Sequence, residues 1–155
     1  MSKYFLESSA FTKRYKSETG SDLVNNLFNN NHDLFYLNLA ILEIRKAFFR
    51  LWKYPEQQDN QITEDEYKAL VSKFAADTLL MYRIEFTEEM IEQALNVLER
   101  VWVPNIFDLA QLSAYLIARQ EYPDMIFVCA DKRSKLIEAV KQFVPYTDVI
   151  VPGSL

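Results

Sequence analysis

Residues 125–133 read MIFVCADKR. Met125 to Cys129 is an unbroken apolar run that ends at Ala130-Asp131 and the basic pair Lys132-Arg133. Such a run marks a strand buried on both faces, the signature of a parallel sheet covered by helices. Asp131 can cap a helix over 132–142. A helix is also expected over 106–119, just upstream. Working outward, Tyr4-Phe5-Leu6 completes a short buried strand over 3–6, Leu34–Leu37 reads as a second, Tyr82–Phe86 alternates like a third, and Asp148–Val151 is a last candidate.

Helices are expected between these strands. Ser8 or Ser9 can cap one running to about Glu18, with Gly20 at its C-terminus. Ser21 can start another through Phe28, and the asparagines at 29–31 read as a turn. Over 38–53, Ala40, Ile41, Ile44, Ala47, Phe48, Leu51 and Trp52 share one helical face. After a polar loop at 55–62, Thr63 and Glu66 form a capping box for a helix to about Met81, and Thr87 caps one to about Arg100. Short strands alternating with helices predict an α/β fold. The expected architecture is one domain over 1–155, with a short, mainly parallel central sheet and helices on both faces.

Composition narrows the chemistry. Half of the 155 residues are hydrophobic and 14% are aromatic, which suits a sizeable core. With two glycines there is no Gly-rich phosphate loop. One cysteine and one histidine give neither an internal disulfide nor a zinc site of the usual kinds. The net charge of −5 argues against a non-specific nucleic-acid coat, but not against an enzyme that reaches a phosphodiester through metal ions. No signal peptide or membrane-length apolar stretch is visible, so a cytoplasmic protein without membrane contact is expected. His32, in the turn after three asparagines, reads as an exposed loop residue without a catalytic role.

Four acids stand out. Glu7 and Asp131 end strands, and ligands of α/β folds gather beyond such carboxyl ends. Taken singly, Glu7 reads as an acid capping the next helix, and Asp131 as a plain N-cap. Glu43, in AILEIRKAFF, reads as paired with Lys46 at i+3. Asp108 is harder to dismiss. Its helix, NIFDLAQLSAYLIAR, is apolar nearly all round, and a buried carboxylate is costly unless paired, hydrogen-bonded or bound to a cation. The competing reading satisfies it with backbone N–H groups of the first turn. Brought to one rim, the four would repel one another unless divalent cations neutralised them, and Mg²⁺ or Mn²⁺ prefers such oxygen ligands.

These residues resemble the PIN-domain family. YFLESSAFTKRY resembles its first motif, LAILEIRKAF its second, FDLAQLSAYLIA its third and MIFVCADKR its fourth, in the family's order and over nearly the whole chain. The resemblance implies a PIN-like fold and a Mg²⁺- or Mn²⁺-dependent ribonuclease, in particular a VapC-like toxin of a type II toxin–antitoxin pair. It implies Glu7, Glu43, Asp108 and Asp131 as metal-binding and catalytic acids, with Ser9 supporting the first or a metal-bound water. Lys13, Arg14, Lys132 and Arg133 become candidates for RNA phosphate contact, with solvated surface charge as the alternative. A homodimer and an antitoxin partner follow from the same resemblance, and helix 63–81 with its polar loop matches the family's clip-like arm. Two departures stand in the motifs. Glu7 replaces the usual Asp and adds a methylene, where catalytic geometry tolerates about 0.5 Å of error. Cys129 replaces a common Thr or Ser, and a thiol is the poorer hydrogen-bonding group; it reads as core. The alternatives are a catalytically weakened PIN-fold protein acting through RNA or protein binding, and an unrelated α/β domain whose acids are caps.

Overall fold

Five parallel strands build the sheet of the computed structural model, which describes residues 1–57, 59–131 and 135–153. They are β1 (Lys3–Leu6), β2 (Asp33–Leu37), β3 (Tyr82–Ile84), β4 (Ile126–Val128) and β5 (Val149–Ile150), in the order β3-β2-β1-β4-β5. The expected α/β architecture is the observed one.

Alternation of side chains along each strand divides the core in two. Phe5, Phe35, Leu37, Phe127 and Cys129 point to one face, and Leu6, Leu34, Tyr36 and Val128 to the other. The first face is covered by α5 (Glu88–Leu98), α6 (Ile106–Glu121) and α7 (Leu136–Val140). The second is covered by α1 (Ser8–Thr12), α2 (Ser21–Asn29), α3 (Ala40–Lys53) and α4 (Glu64–Leu79). Both faces being buried explains why the inner stretches Phe5-Leu6, Leu34–Leu37 and Ile126–Val128 are apolar without interruption. Phe11 is the keystone of the second face, with the rings of Tyr15, Phe28, Tyr36 and Phe74 around it.

The chain winds from β1 outward to β3 and then returns to the other side of β1 with β4. The winding therefore reverses between β1 and β4. In open α/β sheets that reversal opens a crevice beyond the carboxyl ends of the two strands.

Several boundaries differ from the sequence reading. The helix after β1 stops at Thr12 instead of near residue 18, and of the caps the sequence offered it takes Glu7, not Ser8 or Ser9: the Glu7 carboxylate accepts the Ser9 N–H at 3.0 Å. Isolated short helices are marginal, and here distant partners take the next residues. The Lys13 amino group bonds the Thr19 carbonyl at 2.7 Å, and Arg14 turns to Asp77 on α4. Gly20 does not close α1; it precedes α2 at φ 92°, where a Cβ would lie 2.7 Å from the Pro152 carbonyl carbon. α7 is shorter than 132–142 and follows Lys135, so Asp131 is not its N-cap. Thr63 and Thr87 cap α4 and α5 as expected, accepting the N–H groups of Glu66 and Met90. His32 is half-buried, its ring edge-on to Tyr4. Phe48 is core, whereas Phe49 is 42% exposed and packs with Trp52, Tyr54 and Tyr67 on the outside. Among the described residues, no helix is long and apolar enough to cross a membrane.

Candidate active site at the β1–β4 crevice

Glu7 directly follows β1, and its backbone N–H bonds the Val128 carbonyl of β4 at 3.0 Å. Its carboxylate is 2% exposed. One oxygen, Oε2, accepts both the backbone N–H and the hydroxyl of Ser9. Ser9 Oγ in turn accepts the Ala130 N–H at 3.0 Å, which ties the start of α1 to the segment leading to Asp131. Ser9 is thus hydrogen-bonded both to Glu7 and to the backbone before Asp131.

Glu43 and Asp108 reach the same rim because α3 and α6 run antiparallel to the strands. Their first turns lie at the carboxyl edge, where helix dipoles favour negative charge. Glu43 does not pair with Lys46 among the described residues. Its Oε1 accepts the Ser8 hydroxyl at 2.8 Å and the Gln111 side-chain amide at 3.3 Å. Gln111 Nε2 also donates to Ser8 Oγ at 2.8 Å, closing a triangle. Asp108, 8% exposed, is not satisfied by the N–H groups of its own turn. Asn105 takes them: its Oδ1 accepts from Phe107 N–H at 2.8 Å and Asp108 N–H at 3.2 Å. The backbone-cap reading of Asp108 thus belongs to Asn105.

The four acids share one electrostatic environment. Burial raises the Glu7 carboxyl to about 7, with Asp108 and Glu43 adding to the rise and the Ser9 hydroxyl opposing it. Burial raises Asp108 to about 6, assisted by the charges of Asp131 and Glu43. Acids that the sequence scatters from residue 43 to residue 131 therefore add to the rise of Glu7 or of Asp108. The donor set fits a hard divalent cation in kind, being carboxylate oxygen throughout, and a cation would relieve the repulsion. In spacing it is looser. Among the described residues, no group of three or more His, Cys, Asp or Glu side chains is placed so that it could hold a metal ion. Cys129 is fully buried, 3.8 Å from Ser9 Oγ, and burial pushes its thiol up, so it stays a protonated core residue.

The basic residues of the motifs have other work. Lys13 is held by Glu18 and the Thr19 carbonyl. Arg14 makes a forked pair with Asp77 at 3.2 and 3.3 Å, bonds Asn25 at 2.9 Å, and lies over the Phe28 ring. Lys132 and Arg133 lie outside the described residues. Instead, a groove of about 330 Å³ opens beside Glu43, lined by Leu42, Lys46, Ala47, Arg50, Asn105 and Phe107. Sequence reasoning missed Ser8, Gln111 and this groove. Gln111 had a readable signal: an amide in the largely apolar stretch LAQLSAYLIA.

No family model matches the sequence, and no curated protein matches it. Solved structures do match. One is a chain from the crystal structure of VapBC2 from Rickettsia felis bound to a DNA fragment from their promoter. It aligns over 96% of this chain and 96% of its own, with a TM-score of 0.60 and 11% identity. At that identity the likeness is one of fold, and the fold is PIN-like.

Proposed function

We propose that the chain is a Mg²⁺- or Mn²⁺-dependent endoribonuclease that hydrolyses RNA phosphodiester bonds, and that it is the toxin of a type II toxin–antitoxin pair. The observation that carries this reading is the pair of buried carboxyls, Glu7 and Asp108, at the β1–β4 crevice, both raised by burial and by the charges of neighbouring acids. The PIN-like fold shared with a chain of the VapBC2 complex supports it, as does the order of the four motifs.

Glu7, Asp108, Asp131 and Glu43 would hold the ion. A bound divalent cation supplies Lewis acidity toward a phosphodiester oxygen and toward water. The remaining work falls to the chain. Without a cation Glu7 and Asp108 are raised to about 7 and about 6, and a bound cation would lower both and hold them as carboxylates. Ser9 fixes one Glu7 oxygen. Lys46 and Arg50, beside Glu43, are suited to phosphate, and the half-exposed Phe107 ring to a base. The Arg50–Glu56 pair at 3.0 Å is exposed and worth little, so phosphate can displace Glu56. An antitoxin and a second copy of the chain are the expected partners, on the strength of the resemblance.

The test is Mn²⁺ binding by calorimetry on the wild type and on Asp108→Asn, followed by cleavage of unstructured RNA. Micromolar or tighter binding that is lost in the variant supports the reading. Two folded proteins that both fail to bind sink it. A second reading, a catalytically weakened PIN-fold protein that acts through RNA or protein binding, is favoured by the loose spacing of the acids. RNA retention without Mn²⁺ binding or cleavage would select it.

A further inference from the structure

β3 ends the sheet, and among the described residues it pairs with β2 alone. The Ile84 carbonyl accepts the Asn38 N–H at 2.8 Å, so Ile84 turns its backbone groups toward β2. Backbone groups alternate along a strand, so Arg83 and Glu85 turn theirs outward, as an open template for a further strand. Proteins blunt such edges with charge, proline, bulges or a covering helix. Here the approach to the edge is apolar: in Leu79-Leu80-Met81-Tyr82, Leu79 is 86% exposed, Leu80 83% and Tyr82 55%. β3 and the residue after it carry one charge of each sign. Arg83 and Glu85 stand two residues apart on the same face of the sheet, both exposed and paired with each other.

That pattern is complementary to its own reverse. When two copies meet antiparallel about a two-fold axis at Ile84, each Arg83 lies opposite Glu85 of the other copy. The same register sets the outward backbone groups of Arg83 against those of Glu85, so the ladder and the charges agree. Moving the axis to Arg83 would set Arg83 against itself, and like charges directly opposite repel. We infer that the β3 edge is the docking surface for a second copy of this chain, the two sheets joining β3 to β3 as antiparallel strands. Exposed ion pairs add little affinity, so the charges set the register, while Leu79, Leu80 and Tyr82 of both copies supply the apolar burial. The inference needs no ligand and no activity at the β1–β4 crevice, from which β2 separates this edge.

The experiment is sedimentation equilibrium of the full chain over a range of concentrations, with amide hydrogen exchange and thermal melts on the same samples. The wild type should pass from the 18.3 kDa monomer to a dimer as concentration rises, and the Arg83 amide should exchange more slowly in the dimer. Arg83→Glu and Glu85→Arg each bring like charges together twice across the axis, and each should weaken the dimer about tenfold or more while still melting cooperatively. The Arg83→Glu/Glu85→Arg double variant restores opposite charges and should recover most of the affinity. Leu80→Lys should weaken the dimer with or without that swap. A wild type that stays monomeric up to about 1 mM overturns the proposal and leaves the edge to an extended strand of another protein. So does a dimer of unchanged affinity in both single variants, a double variant no tighter than either, or unchanged exchange at Arg83 in a dimer that has formed.

Discussion

Among the described residues, Asp77 on one side and the pair Glu7 and Asp108 on the other are buried acids, and their surroundings treat them in opposite ways. Asp77, on α4, accepts a forked pair from Arg14 and the Tyr15 hydroxyl at 2.8 Å. Its charge is matched and its oxygens are satisfied, so it joins the turn after α1 to α4. At the β1–β4 crevice, Glu7 and Asp108 are as deeply buried but face other acids, and both carboxyls rise. A buried acid with a cation beside it is an architectural element. Buried acids that face one another cost stability unless something outside the chain neutralises them, which is why the proposed function places its chemistry at the crevice.

The comparison is broken most easily at Asp77. Asp77→Ala strands the Arg14 guanidinium and should cost about 3–5 kcal/mol, toward the lower end because Arg14 is partly open to water. Urea unfolding at pH 7 measures it. A loss below about 1 kcal/mol would demote the pair to a surface contact.

Glu7→Gln should move stability the other way. The Glu7 carboxyl rises from an ordinary 4.5 to about 7 in the folded chain. Between those values the folded state keeps a proton that the unfolded state has lost, so wild-type stability falls as pH rises through this window. At about 1.4 kcal/mol per pKa unit, Glu7 removes up to roughly 3 kcal/mol above pH 7. Glu7→Gln avoids that loss, so its advantage over the wild type should be small near pH 4.5 and full above pH 7. Asp108 acts with the same sign between 3.8 and about 6. Parallel pH profiles for wild type and Glu7→Gln would mean that Glu7 is not held near neutrality.

What the sequence allowed in advance follows the same division between local and distant causes. The apolar run at Met125–Cys129 and the caps at Thr63 and Thr87 are decided within a few residues, and they were legible. The end of α1 is decided by Thr19 and Asp77, and the conformation of Gly20 by the close approach of Pro152, so local patterns misplaced both. The four acids were legible as strand ends and first turns, but their partners were not. Ser8 looked like a cap and is a ligand of Glu43. Asp77 shares a helical face with Phe74, an acid on an apolar stripe, which is the signal that would have exposed it.

Tyr15→Phe sharpens the description of the Asp77 hub. Its hydroxyl reaches a carboxylate in a buried setting, and burial together with Asp77 pushes the phenol up, so it remains a donor at all ordinary pH. Losing a hydrogen bond to a charged group should cost about 1.5–3 kcal/mol. The Asp77→Ala/Tyr15→Phe double variant should be less destabilised than the sum of the two, since both act on one carboxylate. Strict additivity would separate Tyr15 from the hub.

Ser9→Ala carries the smallest effect and reads the crevice most finely. The Ser9 hydroxyl stabilises the charged form of Glu7 and so holds its carboxyl below where burial alone would take it. Removing it also deprives the Ala130 N–H of its acceptor. The stability cost at pH 7 should be about 1 kcal/mol. The more telling change is in the pH profile: with the hydroxyl gone, the fall in stability assigned to Glu7 should continue to higher pH than in the wild type. The backbone N–H of Ser9 remains as a donor, so the shift is partial. The Ser9→Ala/Glu7→Gln double variant should show no Glu7 fall at all. A profile that moves to lower pH in Ser9→Ala would mean that the hydroxyl favours the protonated acid, and Glu7 would then belong with the capped acids of the scaffold.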